Sequence, residues 1–166
     1  FQHHLQGKAD FNPCRSIGEA IKGADMIITA TAQKKHNRLF RKEEIKSGVH
    51  ISAIGGDCPG KTELPVDLLK ACKIIVEYLP QSSQEGEIQH LAGEAVHAEL
   101  WQLVSGELKG RTNDEEITLF DSVGFAVEDF SILKLVYKLS EQLNIGQEVN
   151  MIPSPENPKD LYGMLR

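Results

Sequence analysis

The chain has 166 residues, of which 40% are hydrophobic and 25% are charged, and its formal net charge is −6. This composition is typical of a soluble globular protein, and an acidic balance without a basic stripe argues against a nucleic-acid partner. No apolar run approaches the ~20 residues that a membrane-spanning helix needs, so no membrane partner is expected. The three cysteines form no CxxC pair and leave one over, which favours a reduced, cytoplasmic setting.

The first half of the chain alternates between short β-rich runs and helical patterns. The helices have recognisable ends, with a serine that can cap the first one and a glycine that stops the second. In chain order the expected elements are a weak strand at Asp10–Cys14, a helix at Ser16–Lys22 with Ser16 as its N-cap, a strand at Met26–Thr31, a helix at Lys42–Ser47 that Gly48 ends, and a strand at His50–Ile54.

The second half continues the alternation and contains the longest helical pattern. Residues 81–108 are expected to be helical because apolar side chains recur there at roughly helical spacing. The other expected elements are a helix at Pro65–Ala71, a strand at Lys73–Tyr78, a strand at Ile117–Phe120 and a helix at Ala126–Leu143.

Strands separated by helices predict an α/β fold with a mostly parallel sheet and helices on both faces. The strands are continuous apolar runs, which is typical of a sheet covered on both sides. The chain begins at Phe1 without a methionine, and residues 1–7 resemble the tail of a helix. We therefore expect a C-terminal part of a longer chain. Residues 151–166 are proline-rich and predict a surface tail or a return to another domain.

The segment GGDCPGKTEL, residues 55–64, is the strongest candidate for a functional site. It follows a predicted strand, and open α/β sheets present their chemistry at the carboxyl ends of strands. Asp57 is either a catalytic carboxylate or a turn aspartate that caps its own loop. Gly55 and Gly56 are either turn glycines or positions where a ligand approaches the backbone closely. Lys61 is either a surface lysine or a charge beside a helix N-terminus that favours a cofactor phosphate.

Further polar residues follow other predicted strands and would lie at the same edge of the sheet. Thr29 and Thr31 end one strand, and Asp121 and Ser122 end another, before Gly124 turns into the long helix. The GxGxxG motif of dinucleotide-binding domains is absent, so either the domain is of another kind or its first βαβ unit lies upstream. The histidines show no ligand spacing, and no metal site is expected.

Four segments together carry a family resemblance that runs from about Ser16 to Tyr162. They are GGDCPGKTEL (55–64), VEYLPQSSQEGEIQ (76–89), DSVGFAVEDF (121–130) and PKDLY (158–162). In this order they resemble the ornithine cyclodeaminase/μ-crystallin family. The resemblance implies a Rossmann-like domain that binds NAD, with its first βαβ unit missing from this chain, and a substrate and dimerisation domain built from both chain ends. Residues 1–124 would belong to the first domain and residues 125–166 to the second.

The resemblance also implies an activity, namely conversion of L-ornithine to L-proline and ammonia by a homodimer, with NAD⁺ used and regenerated in each turnover. It makes Asp57 the catalytic acid/base and a substrate contact, and Val123 a second substrate contact. The positions that would border NAD are Thr31, Ile54, Gly55, Gly56, Lys61 and Ser122. Because an aspartate in water is a poor base for an ammonium group, Asp57 is expected in a water-poor pocket.

Some parts of the family pattern do not fall within this chain. The glycine-rich loop, the acid that holds the ribose, and the lysine and arginine that hold the substrate carboxylate would precede Phe1, so the chain alone is expected to be inactive. The alternatives are another family reaction (lysine cyclisation, alanine dehydrogenation or ketimine reduction), a μ-crystallin-like protein that binds a nucleotide and a ligand, or a segment that only contributes to a dimer interface.

Overall fold

The structure is a computed structural model that describes residues 7, 9–31, 37–91, 95–149 and 159. Within these residues the chain forms short strands alternating with helices. The strands are β1 (Met26–Thr29), β2 (His50–Ala53), β3 (Lys73–Val76), β4 (Val96–Glu99) and β5 (Thr118–Asp121). The helices are α1 (Ile17–Ile21), α2 (Val66–Leu69), α3 (Leu79–Glu85), α4 (Leu100–Val104) and α5 (Ala126–Leu143), and two 3-10 helices span Lys42–Glu44 and Glu87–His90.

The five described strands form one sheet in the order β1-β2-β5-β3-β4, and every pair in it is parallel. The α/β class and the parallel sheet are thus confirmed. The last strand, β5, lies between β2 and β3, and Asp121 is in register with both Ala53 and Val76. Because the strands are parallel, the residues that follow β2, β3 and β5 all emerge at the same edge of the sheet.

The hydrophobic core covers one face of the sheet. Ile27, Ile51 and Leu119 point to this face from β1, β2 and β5, and Leu68 and Leu69 of α2 belong to the same buried cluster. Side chains alternate between the faces of a strand, so a single set of alternate residues forms the core at these strands. The burial pattern of β1 and β2 follows this alternation.

The opposite face is covered less completely than the sequence predicts. Met26 and Ile28 of β1 are 60% and 61% exposed, whereas Ile74, Ile75 and Val76 of β3 are all buried. Within this chain both faces are therefore covered at β3, whereas one face of β1 is exposed. An apolar run of four residues fits either situation, because periodicity within so short a segment does not identify the covered face.

The structure confirms most predicted elements and corrects two. Ser16 caps α1 by accepting a hydrogen bond from the Glu19 N–H at 3.2 Å, and α5 has the predicted bounds. Residues 10–14 form no strand. The region 81–108 is not helical throughout, since β4 lies within it and pairs with β3. That pairing is a long-range backbone interaction, which the helical spacing of nearby apolar residues does not reveal.

Other helices and strands are one to three residues shorter than predicted, except β5, which has the predicted length but begins and ends one residue later. The helix expected at 42–47 is a single 3-10 turn. The predicted helix tail at 1–7 and the irregular segment at 151–166 fall almost entirely outside the described residues.

The chain divides into two compact units, Phe1–Phe125 and Ala126–Arg166. The first contains the sheet, and the second contains α5. No described side chain of α5 is buried within this chain. In the part of the chain that the structure describes, no helix is long and apolar enough to cross a membrane.

The core position of α2 gives a direct test of this packing. Leu68 is 0% exposed, so we expect Leu68→Ala to lower the free energy of unfolding by about 2–5 kcal/mol through lost burial and an unfilled cavity. Val104→Ala is the control, since Val104 is 80% exposed. Chemical denaturation of the two variants checks the expectation, and equal stabilities would contradict the assigned core.

Candidate functional site

The segment 55–64 leaves the sheet at the end of β2 as a tight loop, which we call the Asp57 loop. The Ile54 N–H still donates to the Thr29 carbonyl of β1, at 3.0 Å, and Ile54 is 47% exposed. A turn then closes between Cys58 and Lys61, whose N–H donates to the Cys58 carbonyl at 3.2 Å. Gly60 has φ +81°, a conformation that favours glycine. The loop thus presents Asp57 at the carboxyl edge of the sheet.

Asp57 and Lys61 form an ion pair within this loop. The Lys61 Nζ donates to the Asp57 Oδ1 at 2.8 Å, and the two side chains are 7% and 60% exposed, respectively. This hydrogen bond raises the pKa of Lys61. Lys61 is therefore a buried cation that orients the aspartate rather than a solvated surface lysine. It lies five residues before α2, which begins at Val66 after Pro65.

The exposure of Asp57 differs from the enclosed position predicted for it. With 60% of its side chain exposed, Asp57 lies at the rim of the loop, and the described residues do not remove it from water. The prediction was drawn from the chemistry that Asp57 would perform, and sequence alone does not reveal burial.

Glu63, at the end of the loop, binds Thr31, which lies two residues beyond the end of β1. Its Oε1 accepts hydrogen bonds from the Thr31 N–H, at 2.9 Å, and from the Thr31 hydroxyl. Glu63 is 0% exposed, and its Oε2 has no hydrogen-bond partner among the described residues. A Cβ atom on Gly55 would lie 2.1 Å from that oxygen. Gly55 is thus required by the packing of a buried carboxylate, a reason that the sequence did not indicate.

Glu87 also binds the end of the Asp57 loop, through the loop backbone. Its two oxygens accept from the N–H groups of Glu63 and Leu64 at 2.7 and 2.9 Å. Burial raises the pKa of Glu87 to about 7, although the two N–H donors favour the charged form. A Cβ atom on Gly56 would lie 3.3 Å from the Glu87 Oε1. The side chain of Glu87 therefore packs closely against the start of the loop while binding its end.

Asp121, the last residue of β5, binds the segment that carries Glu87. Its Oδ1 and Oδ2 accept from the N–H groups of Glu87 and Ile88 at 3.0 and 3.1 Å. Burial is the largest influence on Asp121 and raises its pKa to about 6. A Cβ atom on Gly86 would lie 2.4 Å from the Asp121 Oδ2. The three buried carboxylates are thus connected, because Asp121 binds the backbone of Glu87 and Glu87 binds the backbone of Glu63. We call Glu63, Glu87 and Asp121 the carboxylate series.

The turn after β5 is held beside the end of β2. The Ser122 N–H donates to the Ala53 carbonyl at 3.0 Å. Glu77, which follows β3, accepts from the Ser122 hydroxyl at 2.8 Å and from the Gly124 N–H at 3.1 Å. The half-buried Val123 lies between these two anchored residues. The structure thus brings Ser122 to the strand end from which the Asp57 loop emerges.

The sequence analysis assigned a role to only some of the polar residues that form this site. Glu63, Glu77 and Glu87 lie inside the quoted motifs without an assigned role, and their partners are 23 to 47 residues away along the chain. The acids that pack against Gly56 and Gly86 are Glu87 and Asp121, which are distant in the sequence, so no local pattern points to them. Among the described residues, no group of three or more histidine, cysteine or acidic side chains could hold a metal ion.

With this geometry in place, comparison with known proteins identifies the family. The model of the ornithine cyclodeaminase/mu-crystallin family matches residues 1–143. The chain belongs to this family. The family match covers the sheet, the Asp57 loop and the turn after β5.

The chain is also similar to a curated member of the family over nearly all of its length. The ornithine cyclodeaminase of Brucella melitensis biotype 1 is 47% identical over 164 residues, which are 98% of this chain and 45% of that protein. The chain therefore spans about half the length of the curated relatives that it matches.

Solved structures of family members share the fold. An archaeal alanine dehydrogenase dimer with bound NAD has a TM-score of 0.80 at 34% identity, over 91% of this chain and 48% of that one. A lysine cyclodeaminase, studied for recognition of L-lysine, L-ornithine and L-2,4-diaminobutyric acid, has a TM-score of 0.72 at 28% identity, over 87% and 42% of the two chains. The sheet is thus a Rossmann-like one, as predicted.

The packing of glycines against the carboxylate series can be tested at Gly86. Its backbone has φ −86° and ψ −175°, which alanine also adopts, so the cost of Gly86→Ala comes from contacts of the new Cβ with the Asp121 carboxylate and, at 2.8 Å, with the Ser82 carbonyl oxygen. We expect a loss of about 1–3 kcal/mol of stability from overpacking. Gly18→Ala is the control, because a Cβ there would lie 3.5 Å from Glu44, in ordinary contact. Thermal unfolding of both variants is the measurement, and a Gly86→Ala variant as stable as Gly18→Ala would refute the close packing.

The raised pKa of Asp121 predicts a pH-dependent stability difference. The folded-state pKa, about 6, exceeds the ordinary value of 3.8, so the folded state binds its proton more tightly than the unfolded chain does. This tighter proton binding adds to the free energy of unfolding. The added stability is complete below about pH 4 and is lost as the pH rises through about 6. We expect the Tm difference between wild type and Asp121→Asn to be largest near pH 4 and to shrink by pH 7. A difference that grows with pH would mean that the two N–H donors outweigh burial.

Proposed function

We propose that the full-length protein that carries this chain is an ornithine cyclodeaminase, which converts L-ornithine to L-proline and ammonia. The observation that carries the proposal is the Asp57–Lys61 ion pair on the GGDCPGKTEL loop, at the sheet edge and near the anchored turn 121–124. The 47% identity to the Brucella enzyme supports the same activity. As further parts of the proposal, the protein acts in the cytoplasm as a homodimer, and NAD is its cofactor.

The residues at this edge fit the nicotinamide part of NAD. Ile54 is 47% exposed at the end of β2, so the edge offers an apolar surface next to the backbone of the buried Gly55 and Gly56. Family members with bound NAD or NADH have the same fold. In the proposal NAD is bordered by Thr31, Ile54, Gly55, Gly56, Lys61 and Ser122. The bound cofactor supplies reversible hydride exchange with the α-carbon of the substrate.

The proposed role of Asp57 is proton transfer to and from the substrate amines. In the cyclisation the δ-nitrogen of ornithine forms a bond to the α-carbon, and the bond from the α-carbon to its own amino group breaks to release ammonia. The δ-amine attacks only when it is neutral, so its ammonium form must first lose a proton. Reference pKa values of ~10 for an alkylammonium and ~4 for an aspartate make this transfer uphill by about 8 kcal/mol in water. Exclusion of water raises the pKa of the acid and lowers that of the amine. Asp57 can then accept this proton and return one to the departing ammonia.

Lys61 contributes to this chemistry by fixing the direction of the carboxylate. Its ammonium group binds the Asp57 Oδ1, and we propose that the carboxylate oriented in this way faces a substrate amine. Val123 in the neighbouring turn is proposed as a second substrate contact. The exposure of Asp57 implies that bound ligands or other parts of the full-length protein exclude water from it.

Three other family activities are the nearest rivals, because an alanine dehydrogenase, a Delta(1)-pyrroline-2-carboxylate reductase (a ketimine reductase) and a lysine cyclodeaminase share this fold at 34%, 30% and 28% identity. A binding protein without catalysis is the rival from another class. The Asp57–Lys61 ion pair at the edge counts against it, since a protein that only binds does not need an acid/base there.

The test is proline release from L-ornithine with NAD⁺ by the full-length protein and its Asp57→Asn variant. We expect the variant to lose about 10²-fold or more in kcat, the usual effect of removing a general acid/base, while it still binds NAD. Asp67→Asn is a matched control, since Asp67 is an exposed acid in the first turn of α2, and its kcat should equal that of wild type.

Other outcomes distinguish the rivals. Full activity in Asp57→Asn would remove Asp57 from the mechanism. A wild-type protein that is inactive on ornithine but oxidises L-alanine, cyclises L-lysine or reduces a cyclic ketimine with NADH would favour the corresponding family reaction. Binding of NAD without turnover of any of these substrates would favour the binding protein.

A further inference from the structure

The 3-10 helix Glu87–His90 binds the Asp57 loop through its side chains. Glu87 accepts from the N–H groups of Glu63 and Leu64. Gln89 accepts from the Gly60 N–H at 2.6 Å and donates to the Lys61 carbonyl at 3.0 Å. Two side chains thus bind four backbone groups of the loop.

These two side chains are themselves fixed. The backbone of Glu87 is bound by Asp121 of β5, and the amide of Gln89 also donates to the Gly86 carbonyl at 2.8 Å. Asp121 directly precedes Ser122, whose N–H bonds to Ala53. The segment 86–89 therefore links the loop to the strand that carries the turn 121–124.

Two hydrogen bonds connect the 3-10 helix to the Asp57–Lys61 pair. Gln89 holds the backbone of Lys61, and the ammonium group of Lys61 holds the Asp57 carboxylate. The side chain of Asp57 is 60% exposed, so enclosure by this chain does not fix its position. Its placement depends on the backbone on which it and Lys61 are carried.

We propose that Glu87 and Gln89 are positioning residues, which act through the backbone of the Asp57 loop to keep the Asp57–Lys61 pair aligned with the turn after β5. The effect on catalysis rests on the proposed function, whereas the effect on the loop does not. Displacement of a catalytic group by about 1 Å can lower a rate about 10²-fold. Loss of these hydrogen bonds is therefore expected to lower kcat more than it raises KM.

The test compares variants of the full-length protein by two readouts. Gln89→Met keeps the length of the side chain and removes its hydrogen bonds from a half-buried position. Glu87→Gln replaces one of the two acceptors. Gln84→Met is the matched control, because Gln84 is exposed on the neighbouring α3, and Ile88→Val is a control for reduced packing, because Ile88 is a core residue of the same 3-10 helix.

The readouts are kcat and KM for L-ornithine and amide hydrogen exchange over residues 55–64. We expect Gln89→Met and Glu87→Gln to exchange faster in this segment and to lose at least about tenfold in kcat, with KM changed less than about threefold. Both controls should keep the wild-type kcat and the wild-type exchange of the loop. If Glu87→Gln does not fold, the result for Gln89→Met alone tests the positioning role.

Unchanged exchange of 55–64 in the folded variants would overturn the proposal. So would faster exchange with an unchanged kcat, or an equal loss of kcat in Ile88→Val, which would reflect reduced packing alone. If the wild-type protein releases no proline, the proposed function fails. The exchange comparison then stands by itself: faster exchange confined to the loop supports the positioning role, and unchanged exchange overturns it.

Discussion

The burial of carboxylates at the carboxyl edge of the sheet is the constraint on which the rest of the site depends. A buried carboxylate without hydrogen-bond donors is strongly destabilising. Asp121 and Glu87 each obtain two backbone N–H donors, and these donors belong to segments distant in the sequence. The loops at this edge are therefore fixed by the need to solvate buried acids, and the Asp57–Lys61 pair is held on a loop fixed in this way.

This arrangement separates two kinds of acid that have the same side-chain chemistry. Glu63, Glu87 and Asp121 are 0% exposed and bind backbone N–H groups or Thr31, which gives them a structural role. Asp57 is exposed and binds a lysine ammonium group at the rim of its loop. Environment, rather than residue type, makes Asp57 the candidate for proton transfer.

The sequence predicted the features that local pattern determines. The bounds of α5 and the N-cap of α1 follow from helical periodicity and a serine, and the position of the Asp57 loop follows from a strand that ends in glycines. β4 and the carboxylate series were missed for a common reason. Pairing of Val96 with Ile74, and binding of Glu87 to Leu64, join residues about 20 apart, and a single sequence contains no signal for such contacts.

The close packing of glycines on acids has a consequence for how this chain can change. Gly55 with Glu63, Gly56 with Glu87 and Gly86 with Asp121 each share one space, in which a Cβ atom and a carboxylate do not both fit without adjustment. Changes within a pair are therefore expected to be non-additive, since contacting residues couple energetically. A chimaera between family members would have to exchange both partners of a pair together, although Gly56 and Glu87, like Gly86 and Asp121, come from separate stretches of the sequence.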